Sequence, residues 1–148
     1  MTRFGTVLVA NRGEIALRVI HAAAEHGLTS VAVYSDADGG SAHVREADAA
    51  VRIGPAAASS SYLSIPALLE AARESGADAV HPGYGFLSER ADFARAVTDA
   101  GLVFIGPPPD VMDAMGRKDR ARDIATAAGV PVVPAADSSA VGDLDEVA

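Results

Sequence analysis

The residues best suited to chemistry in this chain stand together in His81-Pro82-Gly83-Tyr84-Gly85-Phe86-Leu87-Ser88-Glu89. The stretch follows an apolar run at 77–80 and precedes a helix-like pattern, so it reads as a strand-to-helix turn. Glycine reaches φ > 0 or lets a ligand approach the backbone, while Pro82 removes a donor and biases His81 towards extended geometry. Ser88 offers a helix N-cap, and Glu89 and Asp92 place negative charge in the first turn. A constrained turn at the C-terminal end of a strand is where α/β proteins hold ligands. His81, Gly83, Tyr84 and Gly85 are therefore candidates on position alone.

Other candidates are weaker. His21, His26, His43 and His81 are scattered without metal-ligand spacing, and surface or capping roles are expected for them. His81 alone lies at a strand end, where it either faces the site or ties down the turn. Lys118 is the only lysine among twelve basic residues. A lone ammonium suits a phosphate or a ring nitrogen, but among Arg117, Asp119, Arg120 and Arg122 it reads first as a solvated helix residue. Arg18, His21 and Glu25 share one helix face at i, i+3 and i+7, and Arg12 and Glu14 follow the first strand. An ordinary charged face is the simplest account of that spacing.

The elements that must position these residues alternate. Short apolar, β-branched runs at 6–10, 30–34, 49–53, 77–81 and 102–105 read as strands buried on both faces. Helical periodicity fills 15–26, 42–47, 62–75 and 89–100, with Pro66 in a first turn. Gly106-Pro107-Pro108-Pro109 breaks the pattern, and helical stretches follow at 110–115 and 117–128. Alternating strands and helices predict an α/β fold: a doubly wound parallel sheet of about five strands, Rossmann-like, over 1–109. A C-terminal helical extension occupies 110–148.

Several functions fall away. The first βα turn is Asn11-Arg12-Gly13-Glu14 rather than G-x-G-x-x-G, and no G-x-x-x-x-G-K-[ST] occurs, so dinucleotide and P-loop sites are excluded. The net charge of −8 argues against nucleic acid and anionic membrane partners. The absence of cysteine removes disulfides and thiolate chemistry. With no leader-like segment or membrane-length apolar run, a soluble, cytoplasmic protein is expected.

Three stretches together resemble a known family: VLVANRGEIALRVI at 7–20, SYLSIPALLEAA at 61–72 and HPGYGFLSE at 81–89. FIGP at 104–107 and MGRK at 115–118 follow in order. The set is similar to the N-terminal domain of biotin carboxylase, as in the α subunits of acyl-CoA carboxylases and in pyruvate carboxylase. The resemblance implies an ATP-grasp enzyme in which ATP and bicarbonate give carboxyphosphate, whose breakdown carboxylates biotin on a carrier protein. It implies ATP, Mg2+ and biotin as cofactors of the full enzyme, with none held tightly by this chain alone. The implied partners are the rest of the carboxylase chain, a biotin carboxyl carrier domain, a carboxyltransferase subunit and a second copy. Lys118 becomes an ATP contact, reversing its first reading. His81, Gly83, Tyr84 and Gly85 become a wall of the biotin and bicarbonate pocket, and Arg18, His21 and Glu25 a dimer interface.

Departures from the pattern are His21, commonly Arg in the family, with Arg90 where Asn is usual and Arg117 where Asp is usual. The family's lid, second ATP lysine, metal-binding glutamates and catalytic arginine belong to later segments. No catalytic set is complete here, and the 148 residues alone are expected to be inactive. Alternatives are a non-catalytic α/β association module, or the matching domain of a urea carboxylase, pyruvate carboxylase or carbamoyl-phosphate synthetase.

Overall fold

The computed structural model describes residues 4–116 and 118–133, with only the main chain at Lys118. The chain divides into two compact units, Met1–Asp113 and Ala114–Ala148. The first holds β1 (Thr6–Val9), α1 (Gly13–Glu25), β2 (Thr29–Ser35), α2 (Ala42–Glu46) and β3 (Ala49–Gly54). It continues with α3 (Ile65–Ser75), β4 (Ala79–His81), α4 (Ala91–Asp99) and β5 (Val103–Phe104). Helix α5 (Pro109–Met115) crosses the division, and α6 (Lys118–Ala127) lies in the second unit.

The five strands form one parallel sheet in the order β3-β2-β1-β4-β5. The chain leaves β1 towards one edge, then returns past it to β4, so β1 and β4 flank the switch point of a doubly wound sheet. Residues 11–12 and 82–86 leave the carboxyl ends of these two strands side by side.

Alternation along β1 divides the core. Val9 packs with Ala32 against Ala16 and Ile20 of α1. Leu8 points to the opposite face, with Val31 and Val80 against Leu68, Phe93 and Val97 of α3 and α4. The small side chains of Ala16 and Ala23, both buried, bring α1 close to the sheet. Ser64 caps α3 by accepting from the Ala67 amide at 3.4 Å, and Pro66 takes a first-turn position where no donor is needed.

Three local expectations are corrected. The helix after the turn starts at Ala91, not 89, and Arg90 rather than Ser88 is its N-cap residue. Turns continue further because the Ser88 amide donates to Gly85 O and the Arg90 amide to Leu87 O, while Leu87 is buried. Apolar burial of Leu87 draws the chain inward before the helix can begin. The helix expected from 62 starts at Ile65, since Tyr62 is fully buried and spends its hydroxyl on hydrogen bonds elsewhere. His43, expected at a surface or cap, is 1% exposed on α2.

Candidate functional site

The site is built where β1 and β4 end. Val9 pairs with His81, and the Ala10 amide donates to His81 O at 2.9 Å. Asn11, fully buried, then reaches across to the neighbouring turn. Its Nδ2 donates to Pro82 O at 2.8 Å and to Tyr84 O at 3.0 Å, and its Oδ1 accepts from the Arg12 amide at 2.9 Å. A Cβ on Gly83 would stand 2.7 Å from both Asn11 Nδ2 and Ile15 Cγ2, so this approach is open only to glycine.

His81 closes the turn from the other side. Its Nδ1 accepts from the Gly83 amide at 2.9 Å. That bond needs an unprotonated Nδ1, and burial holds the ring's pKa below its ordinary value. The ring thus ties down the turn and also lines the groove beside it. Tyr84 is left 60% exposed, its carbonyl gripped by Asn11.

A second cluster anchors the far end of the turn. The Phe86 ring stacks on Tyr62 with centroids 5.1 Å apart, and its φ of 44° is the one positive value outside glycine among the described residues. The Arg12 guanidinium lies 5.4 Å from the Tyr62 ring centroid and 5.6 Å from that of Phe86, close enough for cation–π attraction to both. Arg12 also pairs with Asp38 at 3.5 Å.

Asp38 in turn accepts from Ser35 Oγ and Tyr62 OH, each at 2.7 Å, while the Ser35 amide donates to the Tyr62 oxygen at 3.1 Å. Burial pushes the Asp38 carboxyl up, but the hydrogen bonds from Ser35 and Tyr62 and the Arg12 charge outweigh it and hold its pKa low. Burial, and then the bond to Asp38, push the Tyr62 hydroxyl up to about 12.

Beside the turn, α1 covers its part of the sheet and leaves an open, mostly apolar groove of about 610 Å³. Val7, Ile15, Arg18, His81, Gly83 and Tyr84 are among its lining residues. Four of the sequence candidates are thus brought to one place, and Gly85 lies one residue beyond. Arg18 also shares a shallow depression on the exposed face of α1 with His21 and Glu25. His21 is not free there, since its Nε2 meets Glu46 Oε2 at 2.7 Å.

The arrangement presents a flat aromatic side chain on a turn whose polar atoms are largely satisfied from within. It suits recognition of a ring by shape and stacking. Among the described residues no group of three or more His, Cys, Asp or Glu could hold a metal. The side chain of Lys118 and all of Arg117 lie outside the described residues.

Asn11, Asp38, Tyr62 and Phe86 are the site residues that sequence reasoning missed. An Asn directly after a buried strand, and a Tyr at the head of an apolar helix pattern, were the available signals.

Residues 3–112 match the family described as "Biotin carboxylase, N-terminal domain". Pyruvate carboxylase of Mus musculus is 59% identical over 133 residues, covering 89% of this chain and 11% of that protein. Biotin carboxylase of Halalkalibacterium halodurans is 51% identical over 134 residues, covering 90% and 30%. The solved biotin carboxylase domain of a single-chain bacterial carboxylase superposes with a TM-score of 0.82 at 55% identity, covering 88% and 30%. The chain thus spans between a tenth and a third of these relatives.

Proposed function

The chain belongs to the biotin carboxylase N-terminal domain family, and from that premise we propose that it forms one wall of a biotin carboxylase site. In this reading 1–109 is the family's N-terminal α/β domain, and 110–148 is a helical linker leading into the ATP-grasp region. Later segments of the parent enzyme hold ATP and Mg2+ and activate bicarbonate, with Lys118 as this chain's ATP contact. When bound, biotin supplies the ureido nitrogen that becomes carboxylated.

The observation that carries the reading is the turn at 82–86, held from both sides so that Tyr84 stands exposed beside an apolar groove. A bicyclic, largely apolar ring fits such a wall. This chain's own residues bind and orient; they do not move a proton. The carrier domain that brings biotin, and the carboxyltransferase that uses the product, are the partners of this reading. The exposed face bearing Arg18, His21 and Glu25 is the proposed contact with a second copy, and a cytoplasmic setting completes it.

The test uses a complete carboxylase chain carrying this domain. Tyr84→Ala is expected to raise KM for free biotin about tenfold, the loss of roughly 1.4 kcal/mol of ring contact, with KM for ATP unchanged. The 148 residues alone are expected to show no bicarbonate-dependent ATP hydrolysis. An unaltered biotin KM in Tyr84→Ala, or robust turnover by the short chain, defeats the reading.

A further inference from the structure

We propose that Asn11 and Arg12 are positioning residues, which together set the conformation of the 82–86 turn and so the direction in which Tyr84 projects. The functional consequence rests on the reading of Tyr84 as a biotin wall; the mechanical coupling does not.

Asn11 holds the first end of the turn. One amide nitrogen bonds two carbonyls of the turn, Pro82 O and Tyr84 O. Each uses one of its two protons. Aspartate has no protons to give at neutral pH, and a longer amide would overrun the space, because Gly83 already lies where a Cβ would strike Asn11 Nδ2. The fit of side chain to turn is mutual: glycine permits the approach, and asparagine uses it.

Arg12 holds the other end. Its charge lies over the stacked Tyr62 and Phe86 rings and is steadied by Asp38. Phe86 has a φ of 44°, a backbone state that costs on the order of 1–3 kcal/mol for a non-glycine residue and persists only where the surroundings enforce it. Those surroundings are the Tyr62 ring and the Arg12 guanidinium. Tyr84 sits between the two anchors, with no large buried surface of its own to fix it.

Two adjacent residues on one turn thus hold both ends of the turn carrying Tyr84. Nothing in this arrangement asks Asn11 or Arg12 to touch a substrate.

The experiment uses the complete carboxylase chain and two readouts. Hydrogen exchange of peptides spanning 82–88 is compared with peptides from β1 to β3 in Arg12→Gln, Arg12→Lys and Asn11→Ala. The Arg12 side chain is 46% exposed, so its replacement spares the core even if Asn11→Ala fails to fold. Arg12→Gln is expected to speed exchange in 82–88 about fivefold or more without a matching change in β1–β3, with Arg12→Lys partly rescuing it.

The same Arg12→Gln variant is expected to raise KM for free biotin and leave KM for ATP unchanged. Wild-type exchange in 82–88 for Arg12→Gln, or acceleration spread evenly across the sheet, overturns the coupling. A normal biotin KM in Arg12→Gln, when Tyr84→Ala raises it, overturns the positioning role. If Tyr84→Ala itself is silent, the biotin reading falls, and the exchange data alone decide whether Asn11 and Arg12 hold the turn.

Discussion

At the scale of single residues, Tyr62 joins the parts of the site. It is fully buried, stacks on Phe86, lies under Arg12 and donates to an ionised Asp38. Burial and that carboxylate raise its pKa to about 12, against 10.0 for the free side chain. The folded state therefore keeps its proton where the unfolded chain loses it. Stability from this group is complete below pH 10 and drains away between 10 and about 12. Absorbance at 295 nm is expected to show a late-titrating phenol that Tyr62→Phe removes; an unchanged titration curve in that variant would count against it. Tyr62→Phe also strips a charge-assisted bond, costing on the order of 1.5–3 kcal/mol in chemical denaturation. None of this was legible in the sequence. Tyr62 and Asp38 are 24 positions apart in the sequence and meet only once the chain between them has folded.

Among the elements, strands proved easier to read than turns. A parallel strand covered on both faces must be a run of Val, Leu, Ile and Ala, and 6–10 and 30–34 say so directly. The turn after β4 was legible as constrained, through its glycines and proline. Its length was not, because α4 begins only after Leu87 has been buried. Gly83 shows how tightly this element is specified. With φ of 66° and a Cβ position 2.7 Å from Asn11 Nδ2, Gly83→Ala must shift either the turn or Asn11. A loss of roughly 1–3 kcal/mol in urea unfolding is expected, with faster amide exchange centred on 82–86. Gly85→Ala, where a Cβ meets nothing within 4 Å, serves as the comparison, sharing the positive φ but not the collision. Equal losses in both would mean that backbone geometry, not contact with Asn11, makes glycine necessary at 83.

For the molecule as a whole, acid sensitivity follows from the buried imidazole of His43 and the half-buried one of His81. Burial holds His43 and His81 below the ordinary value of 6.5. Unfolding frees them to bind protons, so stability is full above pH 6.5 and declines as pH falls towards their lowered folded values. Asp38, Asp48 and Asp78 are also held low, but their contribution is lost only below 3.8. The urea midpoint is therefore expected to fall between pH 7 and 5, and less steeply in His43→Gln. A midpoint that rises on acidification would contradict this. Sequence position gave no sign of that burial. α2 is only five residues long, and His43 is drawn inside it by packing against the sheet, with its Nε2 3.3 Å from Val33 O.

The two hydrogen bonds from Asn11 span 71 and 73 residues of sequence. During synthesis the β1–β3 half can leave the ribosome and collapse while the partners of Asn11 are still unmade. Until β4 arrives, a polar amide waits beside the unpaired edge of β1, the strand that will later lie at the centre of the sheet. Loop closure over such a distance is slow compared with forming α1. The site therefore cannot form until β4 has joined β1.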